Sequence, residues 1–194
     1  ELTREKLNTD LRRTWLTGHS MGGHGAWHLG VLSPDRFAAV APSAGWISMS
    51  TYAGARGLES DHPLAALLGR ATAPSDTLTL APNLAGLGVY VLHGDVDDNV
   101  PVAQARRMRE ALARFHPDFV YEERPGAGHW WGNECCDWPP LMEFLRRHER
   151  PQPSAVRSVD FVTASPSVSA RRDWATVETQ LKPFNFSEVH LTKD

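Results

Sequence analysis

Residues Thr14 to Trp27 read TWLTGHSMGGHGAW. A β-prone run leads into two glycines that flank a serine. Gly25 to Val31 then mixes Ala, Trp, His, Leu and Val at helical spacing, and Ser33-Pro34 stops it. Strand, tight turn, helix is the expected path. Gly18-His19-Ser20-Met21-Gly22 fits G-x-S-x-G, the pattern that lifts a serine hydroxyl clear of a sheet at a sharp turn. The glycines have a steric reason. A side chain at Gly18 or Gly22 is expected to collide with the turn, which holds the Ser20 backbone in an unfavourable conformation. The free N–H groups at the start of the helix face any anion formed there. On this stretch alone, a nucleophile and a buried serine in a Gly-rich turn stand level.

Outward from the turn, Phe37 to Ala44 (FAAVAPSA) and Leu87 to His93 read as buried strands. Between them lies an insertion, Gly45 to Gly86, with helix-like ESDHPLAALLGR and several Pro and Gly breaks. It is expected to form a cap beside a pocket. Pro101 to Phe115 reads as a helix with Pro in its first turn and apolar Val102, Ala105, Met108 and Leu112. Phe119 to Glu123 is a strand, and Asp137 to His148, with Leu141, Phe144 and Leu145 on one side, is a helix. This alternation predicts an α/β fold, a mostly parallel sheet flanked by helices. RPQPS at Arg150 to Ser154 marks a linker. VDFVTAS, WATVETQ and FSEVHLT beyond it predict a short β-rich C-terminal extension that packs on the first part or continues further.

A serine hydroxyl needs a general base, and that base needs a carboxylate to fix its tautomer. In a parallel sheet both belong in loops beyond the carboxyl ends of strands. After VYVLHG comes Asp95-Val96-Asp97-Asp98-Asn99-Val100-Pro101, with three candidate acids. After FVYEE comes Arg124-Pro125-Gly126-Ala127-Gly128-His129. Both loops sit where the missing groups are needed, and the order Ser, Asp, His is that of α/β-hydrolases.

Three segments, NTDLRRTWLTGHSMGGHGAW, LHGDVDDNVPVAQARRM and PGAGHWWG, together resemble the C-terminal part of the catalytic domain of prolyl-oligopeptidase-like serine hydrolases. With their intervening elements they cover about residues 8–148. The resemblance implies a partial α/β-hydrolase fold over 1–150 with its early strands absent; residues 151–194 are then the linker and short β-rich extension read from their own composition. In the family's HG-x-x-D-x-x-V-P pattern the acid is Asp97, and the base after G-x-G is His129. Ser20 is then the nucleophile and the Met21 N–H one oxyanion donor. A second donor belongs to an earlier strand. The implied reaction is hydrolysis of an ester or peptide bond through an acyl-enzyme, with no metal or organic cofactor. A noncatalytic interaction module or an inactive fragment on the same scaffold is the alternative.

Other residues read differently. Asp98 is expected to cap the following helix or face solvent, and Asp95 to stay near the strand end. His24 and His28, four apart on a helix, lack a third ligand or a Glu motif, so packing is expected of them rather than metal. His93 is expected to satisfy its polar atoms near the strand end, while His19 fills the variable place in the turn. Trp130 and Trp131 read as packing anchors.

The bulk properties narrow the class. The chain has 194 residues, 41% hydrophobic and 22% charged, with net charge −3, ordinary values for a globular protein with no basic patch for nucleic acid. No apolar run approaches a membrane span. Its two cysteines, Cys135 and Cys136, are adjacent and expected as thiols, because ring closure between neighbours needs unusual backbone geometry. Glu1 to Arg13 look like the end of a helix, and their start, ELTREKLNTD, has no initiator Met or signal core, so localisation is not readable. With only these residues before the nucleophile strand, that strand is expected to expose a parallel edge. Either the N-terminal half of a longer chain or a second copy is expected to cover it.

Overall fold

The computed structural model describes residues 6–7, 9–52 and 61–194. Four parallel strands form the sheet: β1 (Trp15–His19), β2 (Ala39–Ser43), β3 (Gly88–Gly94) and β4 (Phe119–Arg124), in spatial order β1-β2-β3-β4. The register runs Trp15 to Ala39, Val40 to Val89 and Val89 to Phe119 across successive pairs. Every residue of β2 and β3 is buried, as expected of parallel strands covered on both faces.

Period-two alternation along the strands sorts the core into two layers. Val40, Val89 and Val91 face one way and meet Trp27 and Val31 of α1 (Met21–Leu32). Leu80 and Leu84 of the insertion join this layer, as do Met108 and Leu112 further along. Ala39, Ala41, Tyr90 and Leu92 face the other way, onto Leu141, Phe144 and Leu145. The result is helices on both faces of a parallel sheet, the expected α/β class.

The remaining helices are α2 (Ala65–Thr72), α3 (Ala103–Leu112), α4 (Glu134–Asp137) and α5 (Pro139–Arg146). The helix expected over Asp137 to His148 runs from Pro139 to Arg146, and Asp137 instead ends the separate turn α4. Trp138 leaves helical geometry at ψ 117°, because the residue before a proline is pushed towards extended backbone. The expected helix of the insertion begins at Ala65, and residues 53–60, including its first two positions, lie outside the described residues. No residue of α2 is buried, and its Leu67, Arg70 and Ala71 line an open hollow together with Leu181, Lys182 and Phe184 of the C-terminal segment. Of the N-terminal residues read as a helix end, 1–5 and 8 lie outside the described residues, and Leu11–Arg13 make one 3-10 turn capped by Asp10. No helix among the described residues is long and apolar enough to cross a membrane.

The C-terminal segment carries β5 (Ser158–Thr163) paired antiparallel with β8 (Ser187–Thr192), and a two-residue pair, β6 (Arg171–Arg172) with β7 (Ala175–Thr176). The β-like WATVETQ therefore shortens to Ala175–Thr176. This segment packs on the first part through the buried amide of Asn83. Its Nδ2 donates to the carbonyls of Val31 and Val162, each at 2.8 Å, and its Oδ1 accepts from the Val162 N–H at 2.8 Å. Ser169 Oγ adds a hydrogen bond to the Leu32 carbonyl at 2.6 Å.

Candidate active site

Ser20 sits between β1 and α1 with φ 59° and ψ −118°, a region that L residues rarely occupy. Its N–H donates to the Ser43 carbonyl at 2.9 Å and its carbonyl accepts from His24, so neighbouring structure holds the strained backbone in place. A Cβ on Gly18 would lie 2.5 Å from the Gly22 carbonyl oxygen, as the sequence leads one to expect. Gly22 corrects that expectation. A Cβ there meets open space, and the crowded second glycine is Gly23, whose added carbon would run into the Ser43 carbonyl and Gly45. The turn is tight because α1 leans on the chain leaving β2, and that contact falls one residue later than the motif alone suggests.

Three of the expected side chains come together in one hydrogen-bonded row. Ser20 Oγ lies 2.8 Å from His129 Nε2, and His129 Nδ1 lies 2.8 Å from Asp97 Oδ2. A carboxylate only accepts, so Nδ1 carries the hydrogen and Nε2 is left to accept from the serine. Asp97 and His129 are both buried. The other carboxylate oxygen, Oδ1, accepts from the N–H groups of Asn99 at 2.9 Å and Val100 at 2.8 Å, which fixes its orientation. Met21 is the first residue of α1, so its N–H has no acceptor within the helix. The Met21 side chain is 75% exposed, as is 70% of Trp130 on the opposite flank.

The loops that carry Asp97 and His129 are tied together. The N–H of Asp95 donates to the Arg124 carbonyl, and that of Val96 to the Ala127 carbonyl. Asp95 Oδ1 accepts from the Gly126 N–H at 2.6 Å, so Asp95 braces the neighbouring loop. Asp98 is exposed. Gly94 is required where the loops cross, since a Cβ there would lie 2.5 Å from the Gly128 carbonyl oxygen.

Two histidines flank the row. The His93 Nε2–H donates to the Val100 carbonyl at 2.9 Å and lies 3.3 Å from Asp97 Oδ2. Burial lowers its pKa, against the raising effects of that hydrogen bond and of Asp97. The His19 ring packs on His129 at 4.9 Å and on Trp130 at 4.4 Å, and its Nδ1 shares a hydrogen bond with Ser43 Oγ at 3.0 Å. Burial first, then the His129 charge, lowers the His19 pKa, so this neighbour stays neutral beside the row. His93 satisfies its ring near the strand end, as the sequence leads one to expect, but its approach to Asp97 and the packing of His19 on His129 are not visible in the sequence. The one available signal was position: His19 ends β1 and His93 is the next-to-last residue of β3, both at the carboxyl edge of the sheet.

His24 and His28 lie 5.7 Å apart, ring to ring, and His24 donates from Nδ1 to the Trp46 carbonyl at 2.9 Å. Trp46 stacks between His24 and Tyr52, and the Tyr52 hydroxyl donates to Asn99 Oδ1 at 3.2 Å. Trp131 packs edge-on to Trp138 beneath Arg124. Cys135 and Cys136 are free thiols, and Cys135 is buried.

The family model described as "Prolyl oligopeptidase family" matches residues 1–138. A curated relative from Arthroderma benhamiae, described as an uncharacterized secreted protein, is 37% identical over 139 residues, which are 70% of this chain and 15% of that protein. Among solved structures, a thermostable esterase superposes with TM-score 0.53 at 22% identity, covering 77% of this chain and 34% of the other. The acylaminoacyl peptidase of Pyrococcus horikoshii superposes with TM-score 0.59 at 19% identity, covering 78% and 26%. The chain thus spans a minor part of these three proteins, and at these identities the structural matches speak for the fold.

Proposed function

Because this chain belongs to the prolyl oligopeptidase family, we propose that it carries the reacting groups of a serine hydrolase that cleaves an ester or a peptide bond through an acyl-enzyme. The observation behind this reading is the row Ser20, His129, Asp97, joined by two hydrogen bonds of 2.8 Å and starting from a serine at φ 59°. Such strained backbone clusters at functional sites, because a structure retains it only where it is held in place.

The reaction follows from the donors and acceptors. His129 Nε2 takes the proton of the Ser20 hydroxyl as Oγ attacks the carbonyl carbon of the substrate. Asp97 holds Nδ1–H and stabilises the imidazolium that forms. Negative charge builds on the substrate oxygen, and the Met21 N–H at the head of α1 donates to it. His129 then passes its proton to the leaving alkoxide or amine, leaving the acyl group on Ser20. A water activated by the same imidazole releases the acid and restores the serine. Asp97, with both oxygens engaged by hydrogen bonds, orients and does not itself accept the proton.

The reading includes a complement outside this chain. β1 is an edge strand of the four-stranded sheet, and Met21 supplies one oxyanion donor where two are usual. The N-terminal half of a longer chain, or a second copy, supplies the neighbouring strand and the second donor. Intact mass with light scattering tests this part: a fully active monomer of 21.5 kDa without a second polypeptide refutes it.

A fluorophosphonate probe tests the central claim. Covalent labelling at Ser20, abolished in Ser20→Ala, is expected; folded protein that stays unlabelled in the presence of its complement overturns it. Nitrophenyl esters of graded chain length beside a Pro-nitroanilide peptide then separate esterase from peptidase.

A further inference from the structure

Beyond the hydrolytic site, the sequence carries two adjacent thiols, Cys135 and Cys136, that the reaction does not use. They lie in α4, a single helical turn that follows His129 by a few residues and packs on β1. Their sulfurs are 3.9 Å apart, in contact but unbonded. The two differ in access. Cys136 is exposed, while Cys135 is 2% exposed and donates from Sγ to the Gly132 carbonyl at 3.0 Å. Burial, with Cys136 beside it, pushes the Cys135 thiol up to about 11, and Cys136 is the sulfur open to a reagent from solvent.

We propose that Cys135 and Cys136 form a redox modification site for a hydroperoxide, closing to a vicinal disulfide that takes apart the turn anchoring the His129 loop. The Cys136 thiolate attacks one peroxide oxygen and the O–O bond breaks. The departing oxygen takes a proton and leaves as water or alcohol, and Cys136 becomes a sulfenic acid. The Cys135 sulfur then attacks the Cys136 sulfur, the S–O bond breaks, and hydroxide leaves as water with the Cys135 proton. Two thiols have lost two electrons and two protons, and the peroxide has been reduced.

Closure is incompatible with the present backbone. Bonded sulfurs sit about 2.05 Å apart, and bridged Cα atoms usually 4.4–6.8 Å, whereas neighbouring Cα atoms are fixed near 3.8 Å. That Cα separation cannot widen, so sulfurs now 3.9 Å apart reach bonding distance only if the dihedrals about the 135–136 peptide change, which takes both residues out of helical geometry. That breaks the hydrogen bonds from the Cys136 and Asp137 N–H groups to the Asn133 carbonyl, at 2.8 and 2.9 Å, and the thiol contact to Gly132. Four residues, Trp130, Trp131, Gly132 at φ 86° and Asn133, are all that separate this turn from His129. Strained disulfides are also the readily reduced ones, so closure reverses under a dithiol. The chemistry at sulfur stands apart from the hydrolase reading; the effect on catalysis rests on it.

The test treats the folded protein, with its complement if one is present, with hydrogen peroxide near stoichiometry. It then maps the tryptic peptide bearing both cysteines under non-reducing alkylation. The expected product lacks two hydrogens, takes no alkyl group and is restored by dithiothreitol. In the oxidised protein the Cys136 and Asp137 amides exchange hydrogen about tenfold faster or more. Ser20 labelling falls in parallel and recovers on reduction. Cys136→Ser is expected to abolish all three responses. Retained thiols, oxygen addition in place of ring closure, closure with unchanged exchange, or a response surviving in Cys136→Ser each overturn the proposal. If the ring closes and exchange rises but reduced protein is never labelled at Ser20, the hydrolase reading falls and the redox site stands.

Discussion

His93 Nε2 lies 3.3 Å from Asp97 Oδ2, the same oxygen that His129 Nδ1 reaches at 2.8 Å. One carboxylate oxygen thus has two imidazoles beside it. Only one of them leads to the serine, because His93 spends its Nε2–H on the Val100 carbonyl. His93→Leu keeps the apolar bulk but strips a donor from that buried carbonyl. It is expected to lower stability by about 1–3 kcal/mol, read from urea unfolding. Turnover of a nitrophenyl ester is expected to fall about tenfold through a less well-placed Asp97, a modest loss beside that of a reacting group.

The three acids of the Asp97 loop separate cleanly. Asp97→Asn is expected to reduce kcat by about 10⁴-fold, because the amide favours the wrong His129 tautomer. Asp98→Asn, at an exposed position, is expected to stay within about twofold. The reverse order in steady-state kinetics would move the orienting acid by one residue.

The glycines of the turn differ in the same measurable way. Gly18→Ala places a carbon 2.5 Å from the Gly22 carbonyl oxygen and is expected to cost about 2 kcal/mol or more. Gly22→Ala meets nothing within 4 Å and is expected to be neutral or stabilising, by up to about 1 kcal/mol. Urea midpoints of the two variants compare them directly.

Acid should destabilise the fold through its histidines. Burial depresses the pKa of His19, His24, His28, His93 and His116 below the ordinary 6.5. Below that value the unfolded chain binds more protons than the folded one, so stability rises with pH. It is complete above about pH 6.5 and is lost as pH falls from there through the depressed folded values. Calorimetric midpoints at constant ionic strength are expected to change little through these groups above about pH 6.5 and to drop from there towards pH 5; no drop over the lower range would mean that these rings gain compensating partners.

Asn83→Ala leaves the carbonyls of Val31 and Val162 and the Val162 N–H without their partner. A loss of about 3 kcal/mol or more is expected, together with faster proteolysis of the C-terminal segment. Retained protease resistance would show that other contacts dock it.

Much of the site was legible because its chemistry is local in sequence. Ser20, Asp97 and His129 each sit in a short loop bounded by a readable strand, and a parallel sheet brings such loops to one edge. The fold class followed from the buried runs of β2 and β3 for the same reason. What was hidden depends on partners distant in the chain. Gly23 is crowded by the carbonyl of Ser43, and Asn83 matters only because Val162 lies against it. His93 becomes interesting once the following loop folds back over it. Trp138 was a local miss, since the Pro139 beside it was enough to break the helix.

The cross-ties between the two loops, from Asp95 to Gly126 and from Val96 to Ala127, have a mechanical consequence. Asp97 and His129 ride on one braced platform built on β3 and β4, whereas Ser20 rides on β1, with β2 between them. Shear along the sheet therefore opens the gap between hydroxyl and imidazole and leaves imidazole and carboxylate together. On warming, the reactivity of Ser20 is therefore expected to fade while Asp97 and His129 are still paired and the core is still closed.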